Sequence, residues 1–166
     1  TAFQSHASIL DFSLGVSKID QVVQKFGGEL PKKPNDNHDL VSICIKDPRD
    51  VAHLVFTTGV LHDYSTLYGF QISPGAVKKN QRECQSWDGF KADSISTRGG
   101  LYLGQTQENV LKLLKDPTKK DSQSWTWNYA HYLGYSIPYT SVSEAGLIAS
   151  RYLMKFISKG AHESRS

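Results

Sequence analysis

Residues 100–117 read GLYLGQTQENVLKLLKDP, and residues 12–28 read FSLGVSKIDQVVQKFGG. Both are short amphipathic helices with their start and stop signals attached. In the second copy Thr106 caps the helix, Glu108 in the first turn suits the helix dipole, and Val110, Leu113 and Leu114 form the apolar stripe before Asp116-Pro117 ends it. In the first copy Ser17 is the expected N-cap, with Asp20 reaching back as a capping-box partner. Ile19, Val22, Val23 and Phe26 then follow at i, i+3, i+4 and i+7, and Gly27-Gly28 supplies the left-handed ending. Leu14-Gly15 and Leu103-Gly104 precede the two helices in the same way. A chain that states one helical unit twice is expected to be built from two related units with a surface between them.

Each helix is succeeded by runs of strand character. After the loop of Pro, Asn and Asp at 31–39, DLVSICIK, DVAHLVFTTG and YSTLYGFQIS are separated by Asp47-Pro48, by Gly59 and finally by Pro74-Gly75. In these runs Val41, Ile43 and Ile45 share one face, as do Ala52, Leu54 and Phe56, and again Tyr68, Phe70 and Ile72. The second half carries SWTWNYAHYLGY, a polar loop at 138–147, and IASRYLMKFISKG, in which Tyr152, Met154 and Phe156 alternate onto one face. Residues 74–98 show no periodicity and read as a connection held down by Trp87 and Phe90. The expected fold is α+β, in two tandem units of a short helix on an antiparallel sheet. The first comprises residues 1–90 and includes the connecting segment; the second comprises residues 91–166.

Composition narrows the function classes. A chain of 166 residues can bury a core without metals, and 39% hydrophobic with 21% charged residues is a soluble, globular balance. The net charge of +3 is dispersed, and even Lys78, Lys79 and Arg82 make only a small cluster, so nucleic-acid binding is not expected. No apolar run is long enough to span a bilayer. Beginning at Thr1 rather than Met suggests a processed product and leaves open that a targeting segment preceded it. Two cysteines, Cys44 and Cys84, lie too far apart for a CxxC redox or zinc pattern. They are either one disulfide closing a long loop or two unrelated thiols. Cys44 sits in an apolar run, where a buried thiol is ordinary, but Cys84 sits in polar KKNQRECQSWDG, where a free thiol would be exposed. That asymmetry favours the disulfide, and with it a secreted or periplasmic setting.

An LG-x-T/S opening, a short amphipathic helix with a Gly or Pro stop, and Trp- and Tyr-rich strands resemble the small lipoproteins of SmpA/OmlA type. Tandem duplication of such a unit within this length resembles the β-lactamase-inhibitor-protein architecture. YLGQTQENVLKLLKDP and WTWNYAHYL carry the likeness, with SLGVSKIDQVVQKFGG as the other copy. The resemblance implies helices on one face of a sheet, the other face available to a protein, and a non-enzymatic role in the cell envelope or outside the cell. Two departures limit it. No lipid-acceptor cysteine opens this chain, and Cys44 and Cys84 are too widely spaced to match short-loop disulfides, so neither membrane anchoring nor inhibition of a β-lactamase is carried over.

Catalytic signatures are missing. No GxSxG occurs, and an apolar setting around Cys44 would raise a thiol's pKa rather than activate it; STRGGLYLG is no phosphate loop. Asp36, His38 and Asp39, and likewise His62 and Asp63, sit in turns, where these residue types serve the backbone, so no metal or other cofactor is expected. His53 and His131 fall in strands, as hydrogen-bonded structural residues. The remaining signal is aromatic: Trp125, Trp127 and Tyr129 alternate onto one side of a strand, and Tyr132, Tyr135 and Tyr139 extend the density into the adjoining loop. Such a row is either core beneath a helix or a contact surface of interface composition. The leading expectation is a protein-binding, non-catalytic domain using a sheet face and loops. A glycan or small-molecule binder that stacks on the Trp and Tyr face is the alternative, and a hydrolase without a recognisable motif is the third.

Overall fold

The computed structural model describes residues 7–32, 40–59, 63–77, 83–91, 95–120, 124–129, 133–138 and 147–150. A two-strand hairpin opens it, β1 (Ser8–Ile9) against β2 (Phe12–Ser13). Helix α1 (Ile19–Phe26) follows, then the antiparallel strands β3 (Val41–Lys46), β4 (Ala52–Thr58) and β5 (Gly69–Pro74). After the short strand β6 (Gln85–Ser86) come helix α2 (Gln107–Leu114), β7 (Lys119–Lys120), β8 (Ser124–Tyr129), β9 (Leu133–Pro138) and β10 (Leu147–Ser150). Eight strands form one sheet in the order β6-β3-β4-β5-β10-β9-β8-β7. The architecture is α+β.

The helices form for local reasons with one difference from expectation. Thr106 caps α2, its Oγ1 accepting from the Asn109 amide at 3.2 Å. In α1 the N-cap is Lys18 rather than Ser17, and Gln21 rather than Asp20 reaches back, its Oε1 accepting from the Lys18 amide at 2.8 Å. Ser17 is diverted: its Oγ accepts from the Ser13 amide and its carbonyl from the Leu67 amide, so it ties the hairpin and the approach to β5 to the helix start. Gly15 and Gly104 take φ of 80° and 99°, a conformation that a side chain would strain. This is the physical content of the shared Leu-Gly.

Register shows which face of the sheet the helices cover. Ile43, Phe56 and Phe70 lie side by side on β3, β4 and β5, as do Ile45, Leu54 and Ile72. Phe12 of the hairpin stands 5.3 Å from the Phe56 ring and 5.9 Å from Phe26 of α1, so the hairpin and α1 lie over this face. Ile19, Val22 and Phe26 of α1 are buried there, and Val110 and Leu114 of α2 belong to the same core. Trp87 meets Phe26 edge-on at 4.7 Å and Phe90 is buried, so the connecting segment is packed down by these two rings.

The second half of the sheet departs from the sequence reading. The run beginning at Ser124 is a hairpin of two strands, β8 and β9, rather than one strand and a loop. Tyr135 therefore lies in β9. Tyr132 and Tyr139, together with His38, His62, His131, Tyr152, Met154 and Phe156, lie outside the described residues. Early and late segments of the chain meet at two antiparallel seams. One is β5 against β10 over four residue pairs; the other is the bridge between Ile9 and Thr97.

Candidate functional site

The sheet has a second face, and no helix among the described residues lies on it. Across the six long strands two rows of residues run side by side on that face. One row is Ser42, Thr57, Gly69, Ser150, Gly134 and Asn128; the other is Cys44, Val55, Gln71, Ile148, Ser136 and Thr126. Small side chains and hydroxyls dominate both rows. Lys46, His53 and Ser73 continue the face at one end, where His53 Nδ1 lies 2.9 Å from the Gly75 carbonyl and Lys46 Nζ pairs with Asp50 at 2.9 Å. Gln71 is exposed, and Ser42, Val55 and Thr57 are half-buried. No Asp or Glu occupies this face of the six strands.

The aromatic row lies on the other side of the sheet. Trp127 pairs with Tyr135, which pairs with Ala149, which pairs with Phe70, so the four stand in one register row with Phe56. Trp127 is 1% exposed, and its Nε1 donates to the Lys115 carbonyl at 3.0 Å. A stacking platform for a glycan would need this ring at the surface. Trp125 pairs with Ile137 and Tyr129 with Leu133 in the β8–β9 register. Sequence reasoning singled out the bulky row and passed over the small polar one; the alternation of Thr126 and Asn128 with the rings was its only trace.

The sulfur chemistry is a disulfide. Cys44 and Cys84 are bonded, 40 residues apart in sequence, with Cα atoms 4.5 Å apart. The bond crosses from β3 to the residue preceding β6, one step before the parallel pairs Ile45 with Gln85 and Lys46 with Ser86. Cys44 belongs to the same face as Val55 and Gln71.

Titratable groups are occupied in structure. Asp63 accepts from the Ser65 and Thr66 amides at 2.9 and 3.1 Å, and hydrogen bonds from the Ser65 backbone first, then from Thr66, hold its carboxyl below the usual range. Asp47, its side chain 1% exposed, takes a fork from Arg49 at 3.3 and 3.2 Å and is lowered by it. Among the described residues no group of three His, Cys, Asp or Glu could hold a metal ion, and no helix is long and apolar enough to cross a membrane.

Comparison of the chain with family models, with curated proteins and with solved structures returns no match. Its function is therefore argued from its own geometry.

Proposed function

We propose that this protein acts by binding another protein across the helix-free face of its sheet, without catalysis, in a secreted or periplasmic setting, and that its two helix-and-sheet halves are copies of one unit. The observation that carries the reading is the division of the sheet. One face is filled by Phe56, Phe70, Trp127 and the helices, while the register assigns to the other Ser, Thr, Gly, Asn and Gln together with Cys44, Val55 and Ile148 across six strands. A broad face of short side chains admits close approach by a partner and offers hydrogen bonds at little entropic cost. The disulfide supports an oxidising compartment. A short helix followed by antiparallel strands in each half, with the halves joined at β5 with β10 and at Ile9 with Thr97, supports the duplication. It also suits the resemblance to the tandem inhibitor architecture.

The partner is expected to engage through hydrogen bonds and its own aromatic side chains rather than ion pairs, since the described strand residues of the face include no Asp or Glu and Lys46 is already paired with Asp50. Capture from envelope extracts with the oxidised protein, followed by affinity measurement with the isolated partner, tests this. Thr57→Arg and Gln71→Arg should each weaken binding about tenfold or more with unchanged melting, and raising salt from 0.1 to about 0.5 M should shift the affinity by less than about threefold. Wild-type affinity in both variants would move the recognition surface elsewhere.

A further inference from the structure

Among the described residues, strand β6 is held to the sheet by few backbone pairs besides the disulfide. It is two residues long, Gln85 and Ser86 are both exposed, and its pairing with β3 covers only Ile45 and Lys46. The Trp87 amide adds one hydrogen bond to the Lys46 carbonyl at 3.1 Å. Immediately before this ladder lies the disulfide, with Cys44 buried at 4% exposure and Cys84 half-buried. A groove bounded by Gly27, Gly28, Pro31, Ser42, Glu83 and Gln85 runs beside the bond. Beyond the ladder, Trp87 against Phe26 and the buried Phe90 anchor the segment independently of the disulfide.

We propose that the Cys44–Cys84 bond is a redox-operated latch on β6, opened by a dithiol reductant without unfolding the rest of the sheet. A thiolate of the dithiol attacks Cys84 Sγ, the more accessible sulfur. The bond between the two cysteines breaks, and the electron pair leaves on Cys44 Sγ, which takes a proton. The second thiol of the reductant then displaces Cys84 from the mixed disulfide, so the dithiol ends as a disulfide and both protein cysteines end as thiols. Cys44 is at home in the reduced state, because a neutral thiol buried behaves as a small apolar side chain. With the covalent tie gone, a two-residue ladder on an exposed strand opens locally, at a free energy far below that of global unfolding. The Trp87 ring on Phe26 and the buried Phe90 stay docked, so the release includes the Trp87 amide and ends there. The consequence is a sheet edge whose outer strand is present in the oxidised protein and detached in the reduced one.

Amide hydrogen exchange under native conditions tests the latch, with dithiothreitol or a thioredoxin-class dithiol protein as reductant and alkylation with mass measurement to confirm two free thiols. The Trp87 amide is the reporter, since its bond to Lys46 exists only while β6 is docked. Its protection should fall about tenfold or more on reduction, while the amides of β4 remain slow to exchange. Cys84→Ser, which leaves the buried Cys44 thiol in place, should show the same loss at Trp87 without any reductant. The proposal is overturned if Trp87 keeps its protection in the reduced protein and in Cys84→Ser. It is equally overturned if reduction unfolds the whole sheet, or if the bond yields to dithiol only after the chain is unfolded.

Discussion

Trp127 of β8 donates its indole N–H to the carbonyl oxygen of Lys115, the residue that closes α2, at 3.0 Å. One side chain, itself 1% exposed, thus joins the end of the second helix to strand β8. Trp127→Phe keeps most of the ring but leaves that carbonyl without its donor, so it should cost about 1 to 2 kcal/mol. Trp127→Ala should cost about 3 to 5 kcal/mol. Urea unfolding of both variants checks the ranking; a Trp127→Ala protein as stable as the parent would place the ring at the surface.

The two helix stripes carry comparable weight. Phe26→Ala and Val110→Ala each remove a buried side chain and should destabilise by about 2 to 4 kcal/mol. Gln24→Ala, on the exposed side of α1, should change stability by less than about 0.5 kcal/mol. Thermal and denaturant melts of the three variants decide whether the stripes face the core.

Replacing both Cys44 and Cys84 by serine should lower stability by roughly 3 to 4 kcal/mol, the chain-entropy value for a loop of this length. Intact mass after alkylation without reductant should show no modified cysteine in the parent. A domain of ordinary stability survives such a loss, so the double variant should still melt cooperatively.

Acid should weaken the fold through its fixed carboxylates. Asp63, Asp47 and Asp11 are held below the ordinary carboxyl range, by the Ser65 backbone N–H, by Arg49 and by the Lys25 hydrogen bond respectively. Because the unfolded chain binds protons more readily at these groups, their contribution is complete above the ordinary carboxyl pKa. It is lost as pH falls below about 4. Asp63→Asn retains an acceptor for the two amides without titrating, and its stability should fall less steeply than that of the parent over that acid range. Parallel slopes would remove Asp63 from the account.

The helices, the LG turns and strands β3, β4 and β5 were legible because each is encoded locally. Ile19, Val22 and Phe26 repeat at helical spacing, Thr106 caps, and Val41, Ala52 and Phe70 open runs that alternate. Misreadings began where one local signal had two uses. Ser17 is a good N-cap, yet its hydroxyl is taken by the Ser13 amide, and Gln21 reaches Lys18 instead. Val16 and Gln105 hold the same place in LGVS and LGQT, but Val16 is 69% exposed while Gln105 is 2% exposed with Oε1 accepting from the Tyr102 amide. Nothing in these four residues distinguishes the outcomes, because the partners that set them, Ser13 and Tyr102, lie outside the tetrapeptides.

By itself the sequence determined an α+β chain with two capped amphipathic helices, alternating strands, and a cysteine in polar surroundings that favoured a bond to its buried partner. These features arise from periodicity, turn chemistry and the cost of an exposed thiol, which act within a few residues. Tertiary structure decided that β5 and β10 join the halves into one sheet and that Trp127 lies under α2. Among the described residues it also left the row from Ser42 to Asn128 as the face without a helix. Alternation divides a strand into two faces but does not say which one is covered; that choice is made only when a helix from elsewhere in the chain buries its own stripe against one of them.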